Sequence, residues 1–125
     1  MYKRQLIDSG GQYKWGTTDV TRTVSCGSVD INVKNNFTRV LKGHISVALC
    51  DIKKNFNGRL IDRLARKFLL KVNKNYSHGT GHGVGFFLNV HEGPVSISKY
   101  NEEEIKKGMI SVSYTHLTLP TKRIV

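Results

Sequence analysis

Leu6-Ile7-Asp8-Ser9-Gly10-Gly11-Gln12-Tyr13, followed by Gly16-Thr17-Thr18-Asp19-Val20-Thr21-Arg22-Thr23, is the stretch on which the fold turns. Thr17 to Ser25 is rich in β-branched residues, which favour extended backbone. Leu6 and Ile7 lead into Gly10-Gly11, a turn signal. Two antiparallel strands joined by the segment around Gln12 to Gly16 are the natural reading. Asp8 and Asp19 stand eleven positions apart, and both oppose the local strand propensity. Conflicts of that kind mark functional positions. A hairpin brings both carboxylates to one face. Facing carboxylates repel, so one is protonated or a cation lies between them. The plainer alternative is two surface aspartates at turns or strand ends.

Beyond the hairpin the period changes to that of helices. Val33, Phe37, Val40, Leu41, Ile45, Ala48, Leu49 and Ile52 recur at steps of three and four, with His44 on the same face. Phe56 to Gly58 breaks the pattern. A second stripe follows through Leu60, Ile61, Leu64, Ala65, Phe68, Leu69 and Val72. Ser77 to Gly85 then carries four glycines in nine residues. Phe86 to Val90 is a short apolar strand candidate, Asn101 to Lys107 has room for one helical turn, and Gly108-Met109-Ile110 reads as the start of a strand.

His78, His82 and His91 fall within this glycine-rich region, where no other ionisable residue lies between positions 78 and 91. Glycines at 79, 81 and 83 argue against a zinc-binding helix, despite the four-residue spacing of His78 and His82. Glycines there predict that backbone passes close to a ligand or to another segment. Carboxylates with imidazole suit manganese, iron, cobalt or zinc. A surface or core role is the plain alternative for any one of these histidines. Ser9, Ser25 and Ser77 lack a nucleophile-elbow context, and no phosphate-binding or dinucleotide fingerprint is present. Cys26 and Cys50 form no metal or disulfide pattern and read as small buried hydrophobes.

The 125 residues suit one domain. The formal charge of +11 invites a nucleic-acid reading, but the 20 basic residues occur as scattered singles and pairs such as Lys53-Lys54 and Lys106-Lys107. No nucleic-acid motif accompanies them, so a solvated basic surface is the better reading. No apolar stretch approaches the roughly 20 residues of a membrane span.

Four strings in order resemble Xaa-Pro aminopeptidases of the pita-bread metallopeptidase group. The first is the hairpin quoted above. The second is Phe37-Thr38-Arg39-Val40-Leu41-Lys42-Gly43-His44-Ile45, and the third is Asp62-Arg63-Leu64-Ala65-Arg66. The fourth is His78-Gly79-Thr80-Gly81-His82-Gly83-Val84-Gly85 with Leu88-Asn89-Val90-His91-Glu92-Gly93-Pro94. The resemblance implies an α/β (α+β) chain carrying part of the pita-bread fold: a curved antiparallel sheet with helices on one face, incomplete at the C-terminus. It implies two divalent metal ions, most often Mn2+. Asp8 would be a terminal ligand, Asp19 would bridge the ions, and His82 would bind the second ion. His78 and His91 match the histidines that hold substrate and stabilise the tetrahedral intermediate. The implied substrates are peptides with proline second, and the implied parent is a cytoplasmic homo-oligomer without membrane or nucleic-acid partners.

The family supplies two further glutamate ligands, and no Asp or Glu follows Glu104 here. Val112 to Val125 resembles translated adaptor sequence rather than the family, and residues 1–5 also read as a non-native leader. Residues 6–111 are therefore expected to form a partial catalytic domain that does not turn over alone. The rival reading is a pita-bread module that has lost catalysis and binds protein or nucleic acid.

Overall fold

The computed structural model describes residues 4–51, 56–87 and 89–113. The expected hairpin is present as β1 (Arg4–Tyr13) and β2 (Gly16–Ser25), paired antiparallel over their whole length. Strand pairing extends further into the turn than the sequence suggests, leaving Lys14 and Trp15 as the loop. Gly16 takes a φ of 150°, a region closed to most side chains, which permits so short a loop. Exposure alternates along β2 in an unusual sense. Asp19, Thr21 and Thr23 face inward, whereas Val20 and Val24 face out. A strand that turns its polar set toward the body of the protein is shaped by a site rather than by a core.

Helix α1 (Ile31–Ala48) starts where the Asp30 side chain accepts from the Asn32 amide, satisfying a donor left over by the first turn. Helix α2 (Gly58–Leu70) is capped in the same way by Asn57, which accepts from Leu60. The two helices pack on each other, with Val40 of α1 and Ile61, Ala65 and Leu69 of α2 buried. Phe37, Leu41 and Ile45 of the α1 stripe stay more than two-fifths exposed, so only part of that stripe is covered. Ile52 lies outside the described residues.

A second, three-stranded antiparallel sheet has the order β4-β3-β5, with β3 (Gly81–Gly83) between β4 (Ser96–Ile97) and β5 (Ser111–Ser113). Ile61, Val95, Ile97 and Ile105 form the core cluster, flanked by Val47, Phe56 and Met109. Each such side chain contributes about 1.5–3 kcal/mol when fully buried.

Several local expectations change. The strand falls on Gly81–Gly83, not on Phe86–Val90, because its two glycines admit neighbouring strands while Phe86 and Phe87 are largely exposed. Residues 101–107 form no helical turn. Glu104 bridges to Asn57, and the Ile105 amide donates to the Phe56 carbonyl. The strand expected from Gly108 begins at Ser111. Cys26 is exposed rather than buried, since it sits past the end of β2. Arg4 and Gln5 pair in β1 and Val112 and Ser113 in β5, so both segments read as foreign contribute backbone to the sheets. The rest of both segments, with His116, lies largely outside the described residues.

Gly43 sets the helix crossing. A Cβ there would lie 2.1 Å from the Ala65 carbonyl oxygen, which is helix backbone and cannot turn aside. Gly43→Ala gains about 1 kcal/mol of helix propensity and loses about 1–3 kcal/mol to overpacking. We expect a net destabilisation of about 1–2 kcal/mol in urea unfolding, because the obstacle is rigid.

Burial raises the Tyr76 phenol above its usual 10.0, outweighing the Thr80 hydrogen bond and the Arg66 charge, which act downward. The folded state therefore favours the neutral phenol. Its contribution is complete below pH 10 and is lost as pH rises through the raised folded value. Denaturant midpoints measured from pH 9 upward should fall less steeply in Tyr76→Phe than in the unchanged chain.

Candidate metal centre

The hairpin register pairs Asp8 with Thr21 and Gly10 with Asp19. Cross-strand partners share a face, so Asp8, Thr21, Gly10 and Asp19 all point one way. The two carboxylates are thus diagonal neighbours, not direct opposites. The missing side chain at Gly10 leaves the space across from Asp19 open. Thr21, which is buried, donates its hydroxyl to Asp8 Oδ1 at 2.9 Å. That hydrogen bond steadies one carboxylate oxygen. The sequence reading did not single out Thr21, although the strand register would have placed it opposite Asp8.

His82 comes to the hairpin from β3. Its Nε2 stands 3.1 Å from Asp19 Oδ2. Its Nδ1 lies 2.9 Å from the Gly83 carbonyl, which only accepts, so Nδ1 carries the proton. In the neutral ring the Nε2 lone pair then faces the carboxylate. Two lone-pair atoms at that distance require a proton or a metal cation to hold them. The His91 ring meets the His82 ring edge-on, with centroids 3.9 Å apart at 74°. Asp19, His82 and His91 each offer one donor atom, all within 4.8 Å of one another. Asp8, Asp19 and His91 line a cavity of about 420 Å³ together with Gln12, Thr18 and Val90.

This arrangement depends on close backbone approach. The Gly83 amide donates to the Val95 carbonyl, and the Glu92 amide donates to the Gly83 carbonyl. A Cβ on Gly83 would fall 2.2 Å from the Glu92 carbonyl oxygen. Glycine therefore lets residues 91–95 lie against β3, which brings the His91 ring onto His82. Gln12 Nε2 and Thr17 Oγ1 each reach the Phe86 carbonyl at 3.5 Å, joining the hairpin tip to the same loop.

The donor set fits a divalent transition metal. Carboxylate and imidazole are both ligands of zinc, manganese, iron and cobalt. Two donors about 2.1 Å from one ion stand roughly 3.4 Å apart at a tetrahedral angle and roughly 3.0 Å apart at a right angle, a range that includes the Asp19–His82 separation of 3.1 Å.

The structure does not bring His78 to this cavity. Its Nδ1 donates to the Gly79 carbonyl at 2.6 Å, and its ring stacks on Tyr76 with centroids 4.7 Å apart. It lines a separate small cavity with His44, Thr80 and Ser113, where His44 Nδ1 and Ser113 Oγ are 2.9 Å apart. Neither cysteine lines the metal-donor cavity. Burial pushes the Cys50 thiol up from its usual range, away from nucleophilic character.

The sequence pattern of metallopeptidase family M24 matches residues 5–118. The chain belongs to this family. Among M24 relatives it is 54% identical over 93 residues to Xaa-Pro aminopeptidase 1 of Dictyostelium discoideum, covering 74% of this chain and 15% of that protein. Against Xaa-Pro aminopeptidase 2 of Mus musculus it is 48% identical over 106 residues, covering 85% of this chain and 16% of the other. The chain thus spans about one sixth of these relatives' length. A solved X-prolyl aminopeptidase of Caenorhabditis elegans, described as a cytosolic enzyme with a di-nuclear active site, superposes with a TM-score of 0.79 at 42% identity. That match covers 86% of this chain and 18% of that one. The prolidase of Pyrococcus furiosus gives a TM-score of 0.75 at 28% identity, over 86% of this chain and 32% of that one.

Geometry separates the histidines into two groups, and a divalent metal should do the same. Adding Mn2+ below stoichiometry should broaden the ring-proton signals of His82 and His91 together, at concentrations that leave His44 and His78 much sharper. NMR of the histidine rings checks this directly.

Proposed function

We propose that this chain is the metal-binding part of an aminopeptidase that removes the first residue of peptides whose second residue is proline. The observation that carries the proposal is the meeting of Asp19 and His82 at 3.1 Å, with the His91 ring on their edge and Asp8 in the same cavity. The Xaa-Pro aminopeptidase relatives supply the substrate class by similarity.

In this reading Asp8 would be a ligand of one ion, His82 would hold the other, and Asp19 would be shared between them. Manganese is the metal we assign, with a cytoplasmic, homo-oligomeric parent. Bound there, the ions would lower the pKa of a shared water and stabilise charge developing on the scissile carbonyl oxygen.

The chain's own residues prepare that chemistry. Thr21 holds one oxygen of Asp8, so the carboxylate meets the cation already oriented. The Gly83 carbonyl fixes the His82 tautomer that presents Nε2. His91, exposed at the cavity mouth, is placed to donate a hydrogen bond to a carbonyl oxygen of bound peptide. His78 has the same role by resemblance, but it faces the His44 and Ser113 cavity here, so substrate contact falls to His91.

The two glutamate ligands implied by the resemblance are not in this sequence after Glu104. With fewer anionic donors the cations are under-neutralised and loosely held. Titrating Mn2+ into the purified chain and assaying an Xaa-Pro peptide beside an Xaa-Ala peptide tests this. We expect weak binding, abolished by Asp19→Ala, and no turnover above the metal-only rate. Robust hydrolysis by the chain alone would overturn the ligand assignment.

A further inference from the structure

Asp62 is a helix carboxylate only 1% exposed, and the proposed chemistry does not use it. A charge so placed needs partners, and the partners it has all lead to one segment. Arg66, one turn along α2, donates from Nε to both Asp62 oxygens at 2.9 Å. Its remaining nitrogens leave the helix. Nη1 donates to Asn75 Oδ1 and to the Tyr76 carbonyl, each at 2.6 Å, and Nη2 donates to the His78 carbonyl at 2.7 Å. The guanidinium also lies 3.9 Å over the Tyr76 ring. Thr80 donates its hydroxyl proton to Asp62 Oδ1 at 2.5 Å. That proton is then spent, so in the 2.5 Å contact between Tyr76 and Thr80 the phenol is the donor. The hydrogen bonds therefore run one way, from Tyr76 through Thr80 to Asp62, with Arg66 closing the circuit.

We infer that Asp62, Arg66, Tyr76 and Thr80 form a buried clamp that positions His82 to meet Asp19. The inference rests on the metal-site reading above. Residues 74–80 have neither helix nor strand, and β3, which follows, is only three residues long and two of them are glycine. Such a segment has little stiffness of its own. The clamp grips it at four successive places, Asn75, Tyr76, His78 and Thr80, and the last is two residues before His82. None of the clamp residues lines the cavity of Asp8, Asp19 and His91, so they act through the backbone as positioning residues. Stability alone does not ask for this arrangement, because apolar packing serves as well as a buried ion pair in many cores. The convergence of one guanidinium on the carbonyls of Tyr76 and His78, ahead of His82, has a geometric purpose.

The test compares Thr80→Val, which keeps shape and removes the hydroxyl, with Thr80→Ser, which restores it. The readout is the Mn2+ concentration that half-broadens the His82 ring signal, measured beside the urea midpoint. Groups that orient metal ligands commonly change metal affinity by about 10–100-fold. We expect Thr80→Val to need about tenfold more Mn2+, with Thr80→Ser close to the unchanged chain and both retaining a cooperative unfolding transition. An unchanged Mn2+ response in folded Thr80→Val overturns the inference. Should Thr80→Val not fold, Arg66→Lys keeps the charge, loses the fork, and carries the same expectation. Loss of folding in both variants would make the network a fold determinant and would also overturn the positioning role. Asp19→Asn separates the two levels. If it leaves the broadening intact, the metal-site reading fails and takes this inference with it. If it abolishes the broadening while Thr80→Val does not, the clamp alone fails.

Discussion

The contact between Asp19 Oδ2 and His82 Nε2 is the constraint that organises this chain. One atom belongs to a two-stranded hairpin and the other to a separate three-stranded sheet. Neither sheet has other reasons to hold its polar face toward its neighbour. A carboxylate and an imidazole lone pair at that distance need a proton or a metal cation between them. The inward-facing polar set of β2, the open place opposite Asp19 at Gly10 and the fixed tautomer of His82 all meet at that gap.

At two positions glycine serves this architecture by admitting backbone. At Gly83 the Glu92 carbonyl occupies the space of a side chain, and at Gly43 the Ala65 carbonyl does. The first contact seats His91 beside His82, and the second fixes how α2 lies on α1. Since α2 carries Asp62 and Arg66, the helix crossing and the hydrogen bonds of the glycine-rich segment belong to one mechanical unit. A site assembled from a three-residue strand must borrow its rigidity, and here it borrows from a helix.

Membership of metallopeptidase family M24 agrees with the donor chemistry. The residues present divide the work in a recognisable way. Hard carboxylate oxygens come from the hairpin, and imidazole nitrogen comes from the glycine-rich segments.

Much of this was legible in the residues themselves. Thr17–Ser25 announced a strand, the three-and-four spacing announced two helices, and the two aspartates and three histidines stood out because each opposed its local setting. Sequence alone also determined the donor types, since chemistry belongs to side chains wherever they lie. It did not determine which donors meet. Asp8 and Asp19 share a face diagonally because of a two-residue loop and the register it imposes, and a one-residue slip would have turned one of them away. His78 and His82, equal in the sequence, take different surroundings because Arg66 holds the carbonyl of one and Gly83 orients the ring of the other. Phe86 to Val90 reads as a strand by composition, yet the glycines of β3 took the pairing because only they admit neighbours on both sides. Local propensity acts over a few residues, whereas the choice of partner depends on contacts between segments far apart in the chain, which only the folded structure supplies.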